Sequence, residues 1–176
     1  MKRLLLAFAG SALLASSALA GPQYVDKTGF ALSGYDVVAY HDLKMSKVGK
    51  PQTKAVAGKK SITADYNGAK WAFSSAANRD KFVADPARYA PQYDGHCAYG
   101  ASIGNSNKGG KVPGNPHLWR IVDGKLYVNI TKVVSGFWEK NIPGHIKRAD
   151  RNWKKIGKKA ASKRSVPSFD TKSAPL

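Results

Sequence analysis

Two stretches of this chain alternate apolar and polar residues, and a turn dipeptide cuts each one. Ser61-Ile62-Thr63-Ala64-Asp65-Tyr66 runs into Asn67-Gly68 and returns as Ala69-Lys70-Trp71-Ala72-Phe73-Ser74. Leu118-Trp119-Arg120-Ile121-Val122 runs into Asp123-Gly124 and returns as Lys125-Leu126-Tyr127-Val128-Asn129. Asn-Gly and Asp-Gly tolerate the positive φ of a two-residue hairpin turn, so the pattern predicts two β-hairpins. Helical spacing follows each. Ser75 caps a helix over Ala76 to Ala84, with Phe82 and Val83 turned to the hairpin. Asp85-Pro86 ends it and opens a short further turn. Thr131 caps a helix through about Lys140, where Val134 and Trp138 share a face. Ile142-Pro143-Gly144 interrupts. A last helix runs from about His145 to Ile156, with Ile146, Ala149, Trp153 and Ile156 on one stripe. Gly34 to His41 reads as a short buried strand or a tight turn, and Lys44 to Lys60 and Asn105 to Asn115 read as loops. The two hairpin–helix runs share a rhythm, but their sequences do not match as a repeat. Together these elements predict an α+β fold: a small single domain of two β-hairpins packed with several short helices.

The first residues change the address rather than the fold. Lys2 and Arg3 precede an apolar run from Leu4 to Ala15, and Ala18-Leu19-Ala20 fits a cleavage signal. Residues 1–20 therefore read as a signal peptide cleaved after Ala20, which implies a periplasmic or secreted protein. No later apolar run is long enough for a transmembrane segment in the mature chain. Residues 21–157 form the domain. Residues 158–176, rich in Lys, Ser, Ala and Pro, read as a disordered basic tail. The whole chain has 29 Lys+Arg against 11 Asp+Glu, a net charge of +18. Such a field attracts anions in general. For an exported chain it favours an anionic envelope surface over nucleic acid.

Candidate chemistry centres on one sulfur. Cys97 is the single cysteine; it follows His96 and lies where a helix can start. Backbone N–H groups and the helix dipole at that place favour a thiolate. A small, buried, inert thiol is the competing reading. Cys97, His96, His41 and Met45 are soft or borderline donors of the kind that copper or another soft transition metal accepts. His117 reads as part of a turn and His145 as a helix-surface residue. Several of Tyr35, Tyr40, Trp71, Phe73, Tyr89, Tyr93 and Tyr99 belong to the core, and two or three could line a pocket with Cys97 at its floor. Nucleophile elbow, Walker loop, His-Glu-x-x-His and dinucleotide motifs are all absent from the sequence, which speaks more against an enzyme than for one.

Several motifs together resemble the YHS domain family, in its exported bacterial, sometimes seleno-, form. They are Gly34-Tyr35-Asp36-Val37-Val38-Ala39-Tyr40, Trp71 to Asp80, Phe82 to Tyr93, Gly95-His96-Cys97-Ala98-Tyr99-Gly100, Trp119 to Asn129, and Ala149-Asp150-Arg151-Asn152-Trp153. The resemblance spans roughly Gly29 to Lys155 and makes the 21–157 domain YHS-like. It implies that metal-linked relatives carry cysteines where this chain has Ala39, Ser74 and Asn78. It also implies that exported relatives can carry selenocysteine where Cys97 stands, and often Tyr where His96 stands. Three readings follow. The first is a periplasmic soft-metal, copper-type binding or handling module anchored on Cys97, working with a metal-handling partner protein. The second is a thiol-based redox protein or enzyme using Cys97, which needs a partner thiol because the chain has no resolving cysteine. The third is a basic binding module for anionic envelope components.

Overall fold

The computed structural model describes residues 22–104 and 110–166. The expected signal peptide and residues 167–176 of the expected tail lie outside that range. The first hairpin pairs β1 (Lys59–Tyr66) with β2 (Ala69–Phe73), and the second pairs β3 (Asn115–Val122) with β4 (Lys125–Asn129), each antiparallel. Helices α1 (Ala76–Ala84) and α2 (Pro86–Tyr89) follow the first hairpin. Helix α3 (Ala98–Ile103) lies between the hairpins, and α4 (Lys132–Glu139) and α5 (Ile142–Ile156) follow the second. Two small two-stranded sheets with helices make this an α+β domain. Among the described residues no helix is long and apolar enough to cross a membrane.

The two hairpin–helix runs are built on one plan, to a degree the residues did not disclose. β1 and β3 each have 8 residues, and β2 and β4 each have 5. The turns match: Asn67 and Gly68 have φ of 51° and 70°, Asp123 and Gly124 49° and 71°. Each first strand shifts register at the same place, between Lys59 and Thr63 and between Asn115 and Trp119. Ser75 accepts from Asn78 N–H as Thr131 accepts from Val134 N–H. Asp85 then caps α2 as Asn141 caps α5. The correspondence extends upstream. Leu32, Ser33 and Gly34 have positive φ in succession, and so do Tyr93, Asp94 and Gly95. Asp36 N–H donates to Val56 O at 2.9 Å, and Cys97 N–H donates to Val112 O at 2.8 Å. Gly58 N–H donates to Gly34 O, and Gly114 N–H to Gly95 O. A Cβ on Gly58 would stand 2.6 Å from the Ala72 carbonyl carbon, and one on Gly114 would stand 2.7 Å from Gly95 O, so both positions need glycine. By this register Asp36 and Cys97 are equivalent residues in two units.

Each unit has a core. Trp71, Phe73 and Phe82 pack with Tyr40, Val37, Val38 and, from the second hairpin, Trp119, Leu126 and Val128. Tyr93, Tyr127, Trp138 and Ala149 pack with Trp153 and Ile146. Phe82 and Trp138, equivalent in the two units, are both buried. Four local expectations change. Val83 faces outward, 59% exposed, because Phe82 alone occupies the buried face of α1. His117 belongs to β3 rather than to a turn. Pro143-Gly144 does not interrupt α5, because Pro fits the first helical turn and Asn141 accepts from Gly144 N–H. The fourth is the basic tail. Residues 158–166 lie against the domain: Ser162 N–H donates to His96 Nε2 at 3.1 Å, Tyr24 O–H donates to Arg164 O at 2.9 Å, and Val166 is buried in the first core. Composition suggested disorder there, but specific main-chain partners and one buried valine hold the segment.

Candidate functional site

The turn at Gln92–Gly95 delivers His96 and Cys97 to the start of α3. Cys97 is its N-cap, not a first-turn residue. Its sulfur accepts from Gly100 N–H at 3.4 Å and faces Asn129 Oδ1 at 3.4 Å, the thiol donating to that oxygen. Backbone N–H groups of Gly100, Ile130 and Tyr99 pull the thiol toward ionisation, but burial outweighs them and pushes its pKa up to about 11. Cys97 is wholly buried. A thiolate is the form that attacks electrophiles and binds metals, so the enclosed sulfur rests in its protonated form.

His96 is equally enclosed. Nδ1–H donates to Tyr93 O at 2.9 Å, while Nε2 accepts from Ser162 N–H. Both ring nitrogens are thus engaged in the neutral tautomer. Its ring lies 5.7 Å from those of Tyr24 and Trp153. Burial, with a contribution from nearby Lys111, lowers its pKa to about 4 against the opposing hydrogen bond to Tyr93. His41 lies elsewhere, at the end of the Ala39–Asp42 turn, its ring edge-on to Tyr89 at 5.2 Å. Met45 is 44% exposed. Among the described residues no group of three or more His, Cys, Asp or Glu side chains could hold a metal ion.

Sequence reasoning passed over Asp36, whose carboxylate accepts five hydrogen bonds. It is fully buried in a stretch, residues 31–40, that is buried throughout. Oδ1 accepts from Val38 N–H at 3.0 Å and Ala39 N–H at 3.2 Å. Oδ2 accepts from Ser74 N–H at 2.8 Å, Ser74 O–H at 2.6 Å and Asn78 Nδ2–H at 2.7 Å. The positions where metal-linked relatives are implied to have cysteines do meet in space, but here they meet on a carboxylate. The signal was present: one acid within the otherwise apolar run Gly34 to Tyr40. Cys97 repeats this role in the second unit, where Ile130 N–H approaches its sulfur as Ser74 N–H approaches Asp36.

A second polar cluster binds loop to helix. Arg120 Nε and Nη2 donate to Glu139 Oε1 at 3.0 and 2.7 Å, and Arg120 Nη1 donates to Ser46 O. Gly49 N–H reaches Glu139 Oε2 at 2.7 Å. Tyr93 O–H donates to Asp150 at 2.9 Å. Among the described residues, Glu139 is paired with Arg120, and Asp150 accepts from Tyr93 while staying exposed on α5.

These features define a small α+β domain with two units, each fixed by a buried acceptor at its turn. Residues 53–93 match the family model of the YHS domain, which bears out the resemblance for that segment. The match spans the whole of the first unit's hairpin and both of its helices. That family is associated with copper and metal handling. No curated protein and no solved structure matches the chain. The donor set does not fit a resident soft metal in this conformation: Cys97 is protonated and sealed, His96 has no free nitrogen, and Ala39, Ser74 and Asn78 surround Asp36.

Proposed function

We propose that this chain is an exported, non-catalytic YHS-type binding module that acts through its cationic exterior on an anionic component of the cell envelope. Cys97 serves it as a structural anchor. The observation that supports this reading most directly is on α5. Lys147, Arg151 and Lys154 recur at i, i+4 and i+7 on an exposed face, Lys158 continues the line, and the helix's one acid, Asp150, is held by Tyr93. Four of the chain's basic residues are thereby aligned on one exposed face, within a sequence whose net charge of +18 already favours anionic partners. The test is binding of the purified chain to immobilised polyanion and to anionic vesicles across a salt series. Affinity should fall steeply with salt and be unchanged by Cys97→Ser. Salt-independent binding, or loss with a Cys97→Ser variant whose melting curve stays native, removes the reading.

A second reading is supported by the match of residues 53–93 to a copper-associated family. In it a soft metal is handled transiently, with Cys97 freed by movement of residues 158–166 and α3. Titration of Cu(I) into reduced wild type and Cys97→Ser tests it: a tight site present only in wild type would favour this reading over the first. The thiol-redox reading needs the same opening and a partner thiol.

A further inference from the structure

We propose that the exposed face shared by α4, α3 and α5 docks the protein onto an anionic phospholipid bilayer, with Val133 and Phe137 entering the lipid interface. This rests on the preceding reading and names its partner and surface. Val133 and Phe137 are 67% and 44% exposed and stand one turn apart on α4. The Phe137 ring lies 5.9 Å from Tyr99, and Tyr99 lies 5.0 Å from His145, whose Nδ1 accepts from Arg148 at 2.7 Å. Lys140 Nζ sits 5.5 Å from the Phe137 centroid. Phe137, Tyr99, His145 and Arg148 thus form one chain of contacts from α4 across α3 to α5, with Lys140 beside its apolar end.

The first unit supplies an internal control. At the positions of α1 equivalent to Val133 and Phe137 stand Ala77 and Lys81, both exposed. The buried position next to them is kept, as Phe82 and Trp138. The fold therefore does not require large apolar groups on this face, yet the second unit carries them. Convex helices carrying one or two large apolar residues among Lys and Arg are suited to the headgroup boundary, where the rings bury and the cations meet phosphates. Two such residues are too small a core for a standard protein–protein interface of about 1,600 Å². An acidic protein partner is therefore disfavoured and becomes an outcome of the test.

The test is co-sedimentation of the purified chain with phosphatidylcholine vesicles and with vesicles containing about 30% phosphatidylglycerol. Wild type should partition onto the anionic vesicles alone. Val133→Ala combined with Phe137→Lys places the first unit's residues on α4 and adds a cation. Partitioning should nevertheless fall about tenfold. Equal or tighter vesicle binding by this variant overturns the proposal and leaves the broader reading standing. Val133→Ser alone, at a largely exposed position, should lower partitioning severalfold and covers the case in which the double variant unfolds. Failure of wild type to bind anionic vesicles also overturns the proposal; salt-dependent binding to soluble polyglutamate would then preserve the broader reading, and its absence would end both. Binding to polyglutamate as tight as to the vesicles points to an acidic protein and overturns the bilayer assignment.

Discussion

Acidification should loosen this protein through His96. The folded ring is neutral, with its pKa lowered to about 4 from an ordinary 6.5. An unfolded chain takes up that proton below pH 6.5, whereas the native state resists until near 4. Stability from this group is therefore complete above pH 6.5, falls as pH drops from 6.5 to 4, and is lost below that. The difference of pKa corresponds to about 3 kcal/mol. Protonation would place an N–H on Nε2 facing Ser162 N–H, two donors with no acceptor between them. The 158–166 segment should release first, so hydrogen exchange at Ser162 should accelerate before global unfolding. The assay is denaturant unfolding, followed by tryptophan fluorescence, at several pH values between 7.5 and 4 for wild type and His96→Gln. His41, His117 and His145 are also held below their ordinary pKa, chiefly by burial, and contribute with the same sign. Their share cancels in the difference between the two proteins. Wild type should lose about 3 kcal/mol more than the variant over this range. Parallel pH profiles would refute the argument.

Three further outcomes follow from the buried groups. The Cys97 thiol should resist a thiol-specific reagent in the native state near pH 8 and react fully in denaturant; rapid native labelling would contradict its enclosure and raised pKa. Asp36→Ala should cost about 3 kcal/mol or more, because several buried donors lose their acceptor together; a loss under about 1 kcal/mol in chemical denaturation would show that the carboxylate is not an anchor. Gly58→Ala and Gly114→Ala should each destabilise by more than about 2 kcal/mol through contact with main chain, whereas Gly136→Ala, with open space around its Cβ, should stabilise α4 by about 1 kcal/mol; melting curves of the three variants decide it.

Local chemistry made much of the fold legible. Asn67-Gly68 and Asp123-Gly124 specify turns through backbone conformation, and Ser75 and Thr131 cap helices through hydrogen bonds to near neighbours. Such signals act within a few residues and survive in sequence. The double plan was hidden because equivalent sites hold different side chains: Asp36 and Cys97, Trp71 and Tyr127, Phe82 and Trp138. A few positions, mostly glycines, kept step, at Gly34 and Gly95, Val56 and Val112, Gly58 and Gly114, Gly68 and Gly124. The candidate site was misjudged for a related reason. A helix start does favour a thiolate at Cys97, but burial depends on Asn129 and on strands far along the chain, and it dominates. His96 looked available because its partner, Ser162, lies in a stretch whose composition gave no reason to expect contact.

The bonds from Tyr24 to Arg164 and from Ser162 to His96 join the beginning, middle and end of the domain. A ribosome or a translocation channel releases a chain from one end only, so these bonds cannot close until the final stretch emerges. Until then the first core lacks Val166 and His96 stands uncovered. The last contacts of the fold therefore close only after residues 162–166 have emerged.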